Sequence, residues 1–156
     1  MSKNLKILIS IEASFRLILF FVFYTSVTIF PDSEGYLDLA QRISNFDLTG
    51  YNGLRSPGYP ILISFVNSNL YALVFIQFCL GIITSVFQYK TLVQLNFSKR
   101  NSLIITIFIS SFLNVFFFET CILVETFVLF LMSTFVYLLS KPSFQNQSLK
   151  FDFLMS

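Results

Sequence analysis

Apolar residues in this chain gather into four long runs instead of recurring around a polar face. The runs occupy about 5–30, 70–95, 101–118 and 121–140, and a short apolar stub at 61–66 precedes the second. A helix that crosses a bilayer takes roughly 17–25 predominantly apolar residues, and each run falls within or close to that range. The runs show no dyad alternation, and four segments cannot close a barrel. Helices are then the structure that satisfies their backbone groups in hydrocarbon. The pattern predicts an all-α membrane protein of about four transmembrane helices. They form a single transmembrane domain over 1–156, with 31–60 as an outer loop.

Composition strengthens that picture. Hydrophobic residues make up 55% of the 156 and charged residues 12%, with a mean hydropathy of +0.76. An average soluble domain carries about 25% charge, so the polar shell of a soluble fold is lacking. The absence of His removes His-based triads, proton relays and His-containing metal sites. Cys79 and Cys121 both lie inside apolar runs, which leaves no disulfide framework or zinc ribbon. A net charge of +2 gives no basis for nucleic-acid binding. High Phe, Ile, Asn and Lys usage suggests an AT-rich bacterial genome.

The basic residues set the orientation. Lys3 and Lys6 precede the first run. Lys90, Lys99 and Arg100 separate the second from the third, and Lys141 and Lys150 follow the fourth. The outer loop holds Asp32, Glu34, Asp38 and Asp47 against Arg42 and Arg55. Every basic cluster falls on one side, which predicts cytoplasmic N- and C-termini in a multi-pass bacterial inner-membrane protein. A cleaved secretory signal is disfavoured, because Glu12 and Arg16 interrupt the first run and no small-x-small site precedes Pro31. Ser143–Ser148 reads as a polar loop, and Phe151–Met155 as the start of another apolar segment.

Within the outer loop, Tyr36, Leu39, Ala40 and Ile43 fall at i, i+3, i+4 and i+7. That spacing predicts a short amphipathic helix on the outer membrane surface, N-capped by Asp32 or Ser33. Asp38 and Asp47 read as solvated surface acids. Two prolines and a glycine in Arg55-Ser-Pro-Gly-Tyr-Pro60 predict a rigid, irregular return of the chain to the membrane. Arg55 is the cation of that stretch and could hold a phosphate oxygen. Glu119 and Glu125 lie at the outer ends of the third and fourth runs. Acids at such depth usually face a cavity or a partner. Glu12 and Arg16, four apart with the acid first, read as a structural ion pair toward the cytoplasmic end.

Taken together, the chain resembles the GT-C class of integral-membrane glycosyltransferases. The similarity is to the branch that holds protein mannosyltransferases and lipid A aminoarabinose transferases. The stretches that carry it are Asp32-Ser-Glu-Gly-Tyr36 with Leu39-Ala40, then Arg55-Ser-Pro-Gly-Tyr-Pro60. Ile76-Gln77, Leu80-Gly81 and Thr84 follow, then Val124-Glu125-Thr-Phe-Val-Leu-Phe130. The resemblance implies transfer of a sugar from a polyprenyl-phosphate donor, with inversion, on the outer face. The acceptor would be a lipid, glycan or protein. It implies catalytic roles for Asp32 and Glu125 and substrate-binding roles for Arg55, Tyr36, Tyr59, Glu34 and Glu119. It leaves a divalent metal open. Family members have more spans than the four counted here, so the chain is expected to be the N-terminal part of a larger module. The competing expectations are a small four-span transport protein or assembly subunit, and an inert remnant that does not accumulate.

Overall fold

The computed structural model describes residues 2–23, 27–67 and 69–141. The expectations for Ser143–Ser148 and Phe151–Met155 lie outside the described residues. Among those described there are seven helices and no strand, so the chain is all-helical. The helices are α1 (Lys3–Phe23), α2 (Pro31–Ser44), α3 (Gly58–Phe65), α4 (Leu70–Gln94), α5 (Lys99–Ser110), α6 (Leu113–Thr120) and α7 (Glu125–Leu139). Among the described residues, α4 is the one helix that is long and apolar enough to cross a membrane by itself. The α5–α6 pair meets the same test only jointly, and α7 is shorter at 15 residues. In α1 the length is present, but Glu12 and Arg16 interrupt it.

Three of the runs are broken differently from the expectation. The first does not stay helical to residue 30. Thr28 is extended and forms an isolated parallel bridge with Cys121, and Ile122 N–H donates to the Thr28 carbonyl at 3.3 Å. Val27, Thr28 and Ile29 are β-branched, and Phe30 is held extended (φ −103°, ψ 165°) because it precedes Pro31. The third run is two helices bent by 56°. The bend follows Ser110-Ser111, where the Ser110 hydroxyl bonds the Ile107 carbonyl, and Phe112 is extended. Side-chain bonds of this kind compete with the helix ladder and bend it. The fourth run does not become helical until Glu125, because Cys121 is taken into the bridge with Thr28. The turn between the third and fourth runs, which their bounds place at 118–121, therefore falls at 121–124.

In the 31–60 segment, α2 forms where its apolar stripe predicts. Its N-terminus is closed from inside the first turn: Phe30 N–H donates to Ser33 Oγ at 2.9 Å. Pro31 takes the first helical position, which suits its fixed φ. The stripe does not lie bare on a surface. Leu39 and Ala40 are buried, and Ala40 joins Tyr59, Ile63, Leu73 and Ile122 in a core that ties α2 to α3 and α4. Asn69 caps α4, accepting from Tyr71 N–H and Ala72 N–H at 3.1 Å.

Around α4 the long helices bury polar residues beside apolar ones such as Leu8, Leu73 and Phe78. The buried residues of α5 are Ser102, Thr106 and Ser110, spaced four apart. Those of α1 include Glu12 and Arg16, and those of α4 include Gln77, Gly81, Thr84 and Ser85. Ile18, Phe21, Phe108, Met132 and Phe135 face outward. At the opposite end from α2, Lys90 and Lys141 both lie against the Tyr137 ring, at 5.5 and 5.0 Å, and Asn4 bonds the Lys99 carbonyl.

Candidate functional site

Two groups of charged residues stand out, one in the 31–60 segment and one among the long helices. In the first, Asp32 at the start of α2 and Arg55 before α3 are 23 positions apart. Arg55 Nη2 donates to Asp32 Oδ1 at 2.5 Å. The guanidinium lies 5.0 Å from the centre of the Tyr36 ring. Gly35 permits this approach, because a Cβ there would sit 3.2 Å from Arg55 Nε. The Tyr51 hydroxyl donates to the Arg55 carbonyl and holds the loop. The Asp32 hydrogen bond raises the Arg55 pKa above its ordinary value, so this arginine is a fixed cation. A polar hollow of about 290 Å³ opens beside it, lined by Gly35, Asp38, Arg42, Tyr51 and Asn52 among others. An exposed carboxylate beside a fixed cation can accept a proton from a hydroxyl and hold an anionic oxygen.

Tyr36 stacks edge-on against Tyr59 at 5.3 Å, and Tyr59 meets Phe127 at 6.2 Å. This aromatic line runs from α2 to the first turn of α7, where Glu125 stands. Tyr59 itself is 1% exposed, and its hydroxyl donates to Gln77 Oε1 at 2.8 Å. It is a packing residue as well as a motif residue. Gln77 Nε2 donates to the carbonyls of Glu119 and Cys121, both at 2.9 Å, and so closes the end of α6. Glu34 is exposed on α2.

The second group is buried. Arg16 Nε and Nη2 donate to the two carboxylate oxygens of Glu119 at 2.9 and 2.6 Å. Arg16 Nη1 donates to Glu12, whose other oxygen accepts from the Ser110 hydroxyl. The ion pair expected between Glu12 and Arg16 is present, and Glu119 joins it from 103 positions away. Gly81 makes room: a Cβ there would fall 2.0 Å from Glu119 Oε1 and 2.6 Å from Arg16 Nη2. The Phe116 ring covers Arg16, with its centre 5.2 Å from the guanidinium carbon.

A cavity of about 320 Å³ lies against this group. Gly81, Thr84 and Gln88 of α4, Asn114 of α6, and Glu125 and Thr126 of α7 are on its wall. The site residues expected from the motifs thus fall in two places. Asp32, Tyr36 and Arg55 come together in the loop, while Glu119 and Glu125 belong to the inner cavity. Gln77 and Gly81, which the motif stretches contain without a role, prove to hold the inner group together. The Ser102–Thr106–Ser110 spacing was the signal in the sequence that α5 turns a polar face inward.

Among the described residues, no group of three or more His, Cys, Asp or Glu side chains is gathered to hold a metal ion. No protein-family model matches the chain, and no curated protein or solved structure matches it.

Proposed function

We propose that the chain is a membrane glycosyltransferase module of the GT-C type. It would move a sugar from a polyprenyl-phosphate donor to a lipid, glycan or protein acceptor at the outer face of a bacterial cytoplasmic membrane. The observation that carries this reading is the meeting of Asp32, Tyr36 and Arg55 in one exposed cluster, since these residues belong to the two stretches whose combination carries the resemblance. In this reading Asp32 accepts the proton of the attacking hydroxyl. Arg55 exchanges its bond to Asp32 for one to the donor phosphate, which frees the carboxylate at the moment it is needed.

The same reading takes α1, α4, the bent α5–α6 pair and α7 as four spans with both termini cytoplasmic. Support comes from the outward Ile, Leu and Phe residues of all four, which would be an oversized apolar surface in water. It also comes from the gathering of Lys90, Lys99 and Lys141 at one end. In proteoliposomes supplied with a polyprenyl-phosphate sugar, Asp32→Ala should cut transfer by about 10²-fold or more. Unchanged membrane insertion is the control. Wild-type transfer rates in that variant would overturn the catalytic role.

A second reading, a small four-span transport protein or assembly subunit, is favoured by the 56° break between α5 and α6. Discontinuous helices at membrane depth are a hallmark of transporter sites. Solute flux into vesicles without sugar transfer would select it.

A further inference from the structure

The ends of α4 and α7 gather positive charge around one aromatic ring. Lys90 stands one turn before the end of α4, and Lys141 just past α7. Their ammonium nitrogens lie 5.5 and 5.0 Å from the centre of the Tyr137 ring. Phe87 stacks on the same ring at 5.0 Å, and the Ser140 hydroxyl donates to Gln94 Oε1, so the two helix ends are joined. Both lysines are half-buried. Among the described residues neither ammonium pairs with a carboxylate. The described acids stand in the 31–60 segment, in the Arg16 group or at the start of α7, a full helix length from Lys141.

The helix ends account for part of this charge. The closing carbonyls of α4 and α7 each carry about half a negative charge, which together offset roughly one of the two ammoniums. About one positive charge is left over. Like charges held close at a half-buried place repel unless an anion joins them. A second observation concerns what adjoins the lysines. Leu131, Phe135 and Leu138 are exposed on the side of α7 that leads to Lys141. A cationic pocket at the end of an outward apolar stripe fits a molecule with an anionic head and a hydrocarbon tail. A free inorganic anion would leave the stripe unused.

We propose that the ends of α4 and α7 bind one anionic phospholipid of the cytoplasmic leaflet. Its phosphate sits between Lys90 and Lys141, and an acyl chain runs along Leu138, Phe135 and Leu131. A singly charged phosphodiester matches the residual charge. Basic pockets between helices on this side of a membrane hold anionic headgroups by the same physics. Tyr137 sets the lysines in place, because its ring attracts both ammoniums while Phe87 holds the ring. The inference rests on the four-span reading, which puts this end in the cytoplasm. It uses no residue of the Asp32–Arg55 cluster, so the catalytic role of that cluster can fail without it.

The test uses the full chain in nanodiscs of phosphatidylcholine with a minor share of phosphatidylglycerol. Lipid carried with the protein into detergent is counted by native mass spectrometry. The wild type should keep phosphatidylglycerol in preference to phosphatidylcholine. Lys90→Gln and Lys141→Gln should each lower that retention about fivefold, the effect of one lysine beside an anionic headgroup. The paired change Lys3→Gln and Lys6→Gln removes the same charge from exposed positions at the same end and should leave retention unchanged. Equal retention in the wild type and both single variants would overturn the proposal. So would an equal loss in the Lys3 and Lys6 variant, which would assign the lipid to the net charge of that end. Displacement of the lipid by inorganic phosphate would assign the pocket to a free anion and overturn it as well. Alkaline extraction follows insertion. An inserted wild type without lipid preference overturns this inference alone, whereas a chain that does not insert overturns the four-span reading with it.

Discussion

Arg16 and Arg55 each bond a carboxylate, but their surroundings are opposite. Arg16 is 2% exposed, between Glu12 at 3% and Glu119 at 1%. Arg55 is 35% exposed and its partner Asp32 65%. In the interior, each polar atom of the group has a partner, and Gly81 is kept free of a side chain to let the group fit. In the loop, one bond and one aromatic face hold the pair, and water reaches both members. The first arrangement fixes α1, α4, α5 and α6 against one another. The second leaves both charges able to change partners, which is what a site for a phosphate and a hydroxyl requires.

The contrast can be broken most severely at Arg16. Arg16→Met should destabilise the fold by about 3–5 kcal/mol, because two buried carboxylates lose their counter-charge. Reversible unfolding in mixed micelles measures this, and a loss below 1 kcal/mol would mean the group is wetter than its burial implies. Gly81→Ala comes next, at about 1–3 kcal/mol, since the new methyl must displace the Arg16–Glu119 pair. Tyr59→Phe should cost about 1 kcal/mol by taking the donor from Gln77 Oε1, with sugar transfer reduced only as far as stability falls.

At the exposed end, Arg55→Lys should leave Tm unchanged and lower transfer, because an ammonium cannot reproduce the guanidinium fork. A fall in Tm comparable with that of Arg16→Met would erase the distinction between the two regions. The smallest effect belongs to Asp47. The Thr49 side chain, then the Thr49 N–H, hold its carboxyl below the ordinary value of 3.8. Its contribution is complete above that value and is lost as pH falls through the depressed one. Carboxyl NMR titration of Asp47 should show the low midpoint, and Thr49→Ala should raise it only part of the way, because the backbone N–H of residue 49 still donates to the carboxylate.

The helical class and the amphipathic α2 were readable in the sequence because each depends on local spacing. Long apolar runs demand helices, and Tyr36, Leu39, Ala40 and Ile43 share one face whatever they pack against. The Glu12–Arg16 pair was readable for the same reason, since four residues make one helical turn. The breaks were harder. Ser110-Ser111 and Val27-Thr28-Ile29 stand inside apolar runs whose mean hydropathy hides them, and what stops the fourth helix short of Cys121 is its bridge to Thr28, 93 positions away.

Chain order and composition determine that this protein is helical, apolar outside its loops and short of cations on one side. Only the tertiary structure decides which charges meet. Asp32 reaches Arg55 because α2 folds back on α3 through Ala40, Tyr59 and Ile63. Glu119 reaches Arg16 because the bend after α5 turns α6 inward over Gly81. Both contacts depend on side-chain packing between segments far apart in the chain, where no local period constrains the partner. For that reason one acid was drawn into a buried ion group, while another, Glu125, was left facing a cavity.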